Sequence, residues 1–243
     1  MSPRLEHDSE RSKLEQIAGQ SLYSAGVMEA SIAYCWRILA RHLHGERVLE
    51  MGPAEGVMTE FLARSGRRLS VVEGSESFCQ SLRQRFPDAE VTHALFEEYQ
   101  PSQRFDTIVM GHVLEHVDDP VAVLRRAMGW LNPGGRIFAA VPNARSLHRQ
   151  AAVVMGMLAQ EDALNERDRH HGHRRVFNPE SFRACFSQAG LRVELFGGYW
   201  MKPLANGQIE AHWTPQMVEA FMQLGERYPD IAGEIYVLAA LPD

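Results

Sequence analysis

The stretch that most constrains this chain is Arg47-Val48-Leu49-Glu50-Met51-Gly52-Pro53-Ala54-Glu55-Gly56, followed by Val57-Met58-Thr59-Glu60-Phe61-Leu62-Ala63. An apolar run ending in a carboxylate, a glycine-bracketed turn and a helix-compatible pattern predict a buried strand, a tight loop and a helix start, which is where open α/β sheets bind nucleotides. Gly52 and Gly56 allow positive φ and let a ligand lie against bare backbone, and the helix that follows offers unpaired N–H groups. The next apolar run, Leu69-Ser70-Val71-Val72-Glu73, ends in a carboxylate about 20 residues after Gly52, the distance at which an acidic side chain meets ribose hydroxyls. Together they point to an adenosine-type ligand. Ala54 and Val57 stand where a dinucleotide fingerprint would need its second and third glycines, which disfavours a nicotinamide-dependent oxidoreductase.

Strand and helix patterns alternate from there. Helices are expected over 57–64, 76–86 and, capped by Asp119 with Pro120 at its first position, 120–131; strands are expected over 90–94, 105–110 and 136–141. Asn132-Pro133-Gly134-Gly135 reads as a turn. Residues 143–177 break the alternation and read as an insertion over a site, and 198–231 form a second one between the last two strands, 191–196 and 234–240. Residues 1–44 read as an N-terminal helical arm. With 243 residues and 45% hydrophobic content, one domain carrying these insertions is expected.

A net charge of −6 argues against nucleic acid as a partner. Cys35, Cys79 and Cys185 have neither C-x-x-C nor zinc-like spacing, and no apolar run reaches membrane-spanning length, so a cytoplasmic protein with no membrane association is expected. A homodimer is compatible with this composition.

Four ordered blocks, Val48 to Gly56, Val71 to Ser75, Phe105 to Pro120 and Leu131 to Asn143, resemble the class I S-adenosylmethionine-dependent methyltransferases. The likeness is to the branch of the ubiquinone-biosynthesis O-methyltransferases and their relatives in secondary-metabolite and glycan pathways. The resemblance implies a Rossmann-like seven-stranded sheet of order 3-2-1-4-5-7-6 with the last strand antiparallel. It implies S-adenosylmethionine as cofactor, released as S-adenosylhomocysteine. It would set the methionine end of the cofactor against Glu50, Gly52 and Gly56, the ribose on Glu73 with Gly74 and Ser75, adenine beside Leu95 and Phe96, and the reacting end near Gly111 and His112. Ala54 replaces the family's usual middle glycine. Leu95 stands near where many members carry an aspartate.

The expected reaction is methyl transfer to an oxygen of a small polar, anionic acceptor, with N-methylation and a non-catalytic cofactor-binding partner as alternatives. His112 or His148 could serve as general base for a hydroxyl, whereas a carboxylate acceptor would need none. Arg149, Arg174, Arg175 and Lys202 are the candidate anion clamp. If the segment is helical, His112, Glu115 and His116 would share one face as metal ligands, at the place where the related enzymes have a Glu-x-x-Glu-His metal cluster. The alternative is that they fix the loop by hydrogen bonds, and no metal is expected.

Overall fold

The computed structural model describes residues 3–18 and 25–242. Helices α1 (Pro3–Ala18) and α2 (Gly26–Ala40) precede β1 (Arg47–Met51), α3 (Val57–Ala63), β2 (Arg68–Glu73), α4 (Glu76–Arg85), β3 (Glu90–His93) and β4 (Phe105–Gly111). Then come α5 (Pro120–Gly129), β5 (Leu131–Pro142), α6 (Leu147–Val154), α7 (Glu166–His170), α8 (Pro179–Ala189), β6 (Arg192–Tyr199), α9 (Asn206–His212), α10 (Pro215–Arg227) and β7 (Glu234–Ala240).

The seven strands form one sheet of order β3-β2-β1-β4-β5-β7-β6. β7 runs antiparallel to both β5 and β6, and the other pairings are parallel. This is the Rossmann-like order expected from the sequence. Strands buried on both faces supply side chains alternately to two apolar layers. Leu49, Met51, Ile108 and Met110 pack with Leu124 of α5 and Phe182 of α8 on one side. Val48, Val71 and Val109 pack with Ile38 and Leu39 of α2 and Leu62 of α3 on the other.

Two expectations are corrected and one open alternative is decided. The Asn132-Pro133-Gly134-Gly135 turn lies inside β5, because Leu131 already pairs with Phe105 before the register shifts. β6 runs on to Tyr199, held by pairing with β7 as far as Glu234. Residues 112–117 turn instead of forming a helix, because His112 takes a φ of +56°, which a right-handed helix cannot include.

The first insertion closes at its base through a bridge between Asn143 and Phe177 and carries α6 and α7. The second carries α9 and α10, and α10 is tied to α2 by a two-pronged Arg37–Glu219 ion pair at 2.8 Å. Both insertions leave the sheet at the carboxyl ends of β5 and β6, the edge where an open α/β sheet presents its ligand crevice.

Candidate active site

The turn after β1 is shaped by backbone. Gly52 has φ +64°, and a Cβ placed on it would lie 3.1 Å from Val113 Cγ2 and 3.3 Å from Phe96 Cζ. Ala54, where the related enzymes carry a glycine, is itself left-handed at φ +50°, so the departure keeps the loop's shape at the cost of local strain. Glu73 ties the loop down: its carboxylate accepts the Ala54 N–H at 3.2 Å and the Ser75 N–H at 2.8 Å. Ser75 in turn caps α4 by accepting the Phe78 N–H at 3.2 Å. Burial pushes Glu73 up, against the pull of these donors.

A cavity of about 470 Å³ opens above this turn. Of the residues expected to hold the cofactor, Glu50, Gly52, Glu73, Gly74, Ser75, Leu95, Phe96 and Gly111 line it, as does His112. Gly56 is not among its walls; it starts α3 with φ +78° and acts through the shape of the turn. The walls also include residues that the sequence did not assign to the cofactor site: Glu10 and Leu14 of α1, Ile32 and Cys35 of α2, and Asp118, Asp119 and Arg126. Arg126 holds the loop after β3 by donating to the carbonyls of Phe96 and Tyr99, each at 3.1 Å.

The cavity fits S-adenosylmethionine. Space at Gly111 is open, since a Cβ there would meet nothing within 4 Å. Glu73 engages one backbone N–H on each oxygen and keeps lone pairs for ribose hydroxyls. Glu50 is buried, accepts the Thr59 hydroxyl at 2.7 Å and is pushed by burial up to about 8, so a cationic group beside it would favour its ionised form.

The inner end of the cavity is built from charge. His112 closes it, with Nδ1 3.3 Å from Glu115 and Nε2 3.6 Å from Glu234, the first residue of β7. Burial opposes a charge on the ring, but Glu234 and Glu115 outweigh it and hold His112 protonated up to about 9. Burial also opposes ionisation of Glu115, yet His112, His116 and His173 bring it down to about 2. Burial pushes His116 down to about 4. Glu115, His116 and His173 bring one ligand atom each within 4.8 Å of one another, a spacing one ion could span. His116 and His173 meet edge to face at 4.8 Å.

The expected anion clamp does not assemble. Arg149 is buried and donates to the Glu161 carbonyl at 2.7 Å, to Asp168 at 3.1 Å and to the Ala163 carbonyl. Arg175 donates to the carbonyls of Leu114, Val117 and Asp118. Arg174 donates to the His116 carbonyl at 2.7 Å, to Glu10 at 2.7 Å and to Asp118. Each guanidinium is engaged by the protein, and none lines the cavity. Lys202 lies near Glu234, with its ammonium 4.8 Å from the Trp200 ring, and burial draws it down to about 8. His148, on α6, is likewise outside the cavity and is pushed by burial down to about 3.

Residues 25–195 match a family model described as a methyltransferase domain, so the chain belongs to that family and is an S-adenosylmethionine-dependent methyltransferase. It is 28% identical over 174 residues to a ubiquinone biosynthesis O-methyltransferase of Xanthomonas euvesicatoria pv. vesicatoria, covering 68% of this chain and 70% of that one. It is 27% identical over 172 residues to the Aeromonas salmonicida protein of the same name, with coverage of 68% and 70%. Among solved structures, the Burkholderia thailandensis 1,6-didemethyltoxoflavin-N1-methyltransferase superposes with a TM-score of 0.68 at 17% identity, covering all of this chain and 92% of that one. The glycopeptide N-methyltransferase MtfA with bound S-adenosylmethionine gives 0.58 at 15% identity, with 86% of each chain covered. At such identities the likeness concerns the fold. Among the described residues no helix is long and apolar enough to cross a membrane.

Proposed function

We propose that the enzyme methylates an oxygen of a small polar acceptor whose reacting group is ionised, a phenol-like hydroxyl or a carboxylate, in a biosynthetic pathway for a secondary metabolite or glycan. The observation that carries this reading is His112 at the inner wall of the cavity between Glu115 and Glu234. A ring kept protonated up to about 9 is a poor base near neutral pH, so the expected base role gives way to a cationic one. It favours the oxyanion form of an acceptor and orients it. The anionic character expected from the arginines and Lys202 thus rests on His112, which alone of these groups lines the cavity. The O-methyltransferase relatives support oxygen as the site of transfer.

When bound, the cofactor supplies an electrophilic methyl group on a sulfonium with a neutral leaving group. The chain's own task is alignment, which is worth up to about 7–11 kcal/mol when reacting atoms are held in line. Glu50, the Gly52 turn and Glu73 would fix the donor, and Leu95 and Phe96 would border adenine. Ile32 and Cys35 of α2 add apolar wall to the cavity. No step requires a metal: we propose that Glu115, His116 and His173 position His112 and the turn at 112–117.

The test is a methyl-transfer assay with labelled cofactor and a panel of phenols, carboxylates and amines of similar size, with and without a chelator. Methyl ethers or esters, formed at a rate the chelator leaves unchanged, are expected. Transfer to amines alone would overturn the oxygen assignment, and a rate abolished by chelation and restored by a divalent ion would overturn the metal-free one.

A further inference from the structure

The helix that roofs the cofactor cavity lies outside the matched family region. α1 spans Pro3–Ala18, whereas the family model begins at residue 25. Glu10 and Leu14 nevertheless form part of the cavity wall. Leu14 sits directly over Gly74, so close that a Cβ on that glycine would lie 2.5 Å from Leu14 Cδ1. The roof is in contact with the loop that carries Glu73 and Ser75.

What holds α1 there differs from what holds the rest of the fold. Among its described side chains, the attachments are mostly polar. Glu15 accepts the Glu76 N–H at 2.5 Å and the Ser77 hydroxyl, so it crowns the N-terminus of α4. Arg11 pairs with Glu98, beyond the adenine-side loop, at 2.5 Å. Glu10 pairs with Arg174 at 2.7 Å. Partly exposed ion pairs of this kind are weak singly and screened by salt, unlike the apolar layers around the sheet.

Arg174 makes the roof more than a cover. Its backbone N–H donates to the Glu115 carbonyl at 2.9 Å and its Nε to the His116 carbonyl at 2.7 Å, so the insertion that carries α6 and α7 is laid on the turn at 112–117. Its two remaining nitrogens reach Asp118, in the cavity wall, and Glu10, in the roof. One guanidinium therefore joins the acceptor-side insertion, the cavity wall and α1.

We propose that α1 is a gate over the cofactor, latched to the acceptor-side insertion through Arg174 as a positioning residue, so that the cofactor enters and leaves only when the Glu10–Arg174 pair opens. The proposal rests on the cavity being the cofactor site. A gate that closes the bound and the free protein alike slows association and dissociation together and leaves affinity nearly unchanged; a residue that simply binds the ligand changes dissociation and affinity instead.

The test uses the full chain and S-adenosylhomocysteine, with stopped-flow rates and calorimetric affinity. Glu10→Gln, Arg174→Gln and Arg174→Lys each change a residue outside the two apolar layers of the core. Glu10→Gln and Arg174→Gln are expected to speed both association and dissociation by about three- to tenfold, with affinity within about twofold. Arg174→Lys, which keeps the charge, should recover part of the effect. The double variant Glu10→Gln with Arg174→Gln should be no faster than the faster single one, because both remove the same contact. Raising salt from about 0.05 M to about 0.5 M should speed exchange in the wild type and much less in the double variant. Unchanged rates, or additive single effects, would overturn the latch. Affinity lost through dissociation alone would make Glu10 a direct ligand and overturn the gate. A wild-type chain that does not bind S-adenosylhomocysteine would instead bring down the assignment of the cavity, an outcome the variants cannot mimic.

Discussion

At the β1–β2 end of the cavity the walls are largely backbone, while at the β4–β7 end they are buried charges. The first end is fixed by a left-handed glycine at 52, a left-handed alanine at 54 and one carboxylate, Glu73, that gathers two N–H groups. The second is fixed by His112, Glu115 and Glu234, with Arg149 and Asp168 behind them. A backbone-built site tolerates almost no added atoms, and its response to pH rests on the carboxylates Glu50 and Glu73 alone. A charge-built site tolerates changes of shape but depends on every partner being present and correctly protonated.

The largest effects should fall on opposite properties at the two ends. Gly52→Val adds a β-branched side chain at φ +64° where even a Cβ would lie 3.1 Å from Val113. Because the turn must shift or the side chain must enter the cofactor's space, cofactor affinity should fall by more than about 30-fold, and strain and overpacking should also lower stability by about 1–3 kcal/mol. Arg149→Ala should do the reverse. It leaves Asp168 buried without its 3.1 Å partner, a loss of about 3–5 kcal/mol in stability, while cofactor affinity stays near wild type because Arg149 does not line the cavity. Calorimetric affinity and denaturant unfolding on both variants check the contrast. A stable Arg149→Ala enzyme with a raised acceptor KM would return that arginine to the anion clamp and erase the distinction.

The same difference explains what was legible in the sequence. Glu50, Gly52, Glu73 and Gly111 could be placed because a strand end and its turn are local: once the apolar run is recognised, the residue after it is at the sheet's carboxyl edge. The alternation placed the individual elements, and the seven-stranded order followed from the resemblance. Apart from His112 and Glu115, three positions apart, partners in the charged half are remote. Arg174 meets His116 across 58 positions and Glu10 across 164, and no spacing rule links them. Its charge pattern alone suited an anion clamp, yet those donors go to the protein's own carbonyls and carboxylates. Glu234 gave no signal either, since a carboxylate opening a strand is ordinary; only the antiparallel return of β7 carries it to His112. Leu14 and Glu10 sit on a polar helix whose docking no apolar stripe could specify.

The smallest effects should come from pH, and they separate the two ends by window. Glu50 is raised to about 8, so its contribution to stability is complete below the usual 4.5 and is lost as pH rises through about 8. His112 is raised to about 9, so its contribution is complete below the usual 6.5 and fades as pH rises through about 9. His116 and His148 are depressed to about 4 and about 3, so theirs is present above 6.5 and is lost as pH falls through those values. The charged half should therefore be most stable near pH 6.5 and weaken on both sides, while Glu50 adds a decline that starts lower. His112→Gln should flatten the alkaline arm above about pH 7, and Glu50→Gln should flatten the decline between about pH 5 and pH 8, each by roughly 1–2 kcal/mol. Thermal midpoints from pH 5 to pH 9.5 would read both. If His112→Gln keeps the wild-type alkaline arm, the ring is not held cationic by Glu115 and Glu234, and the oxyanion role assigned to it fails along with the contrast between the two ends.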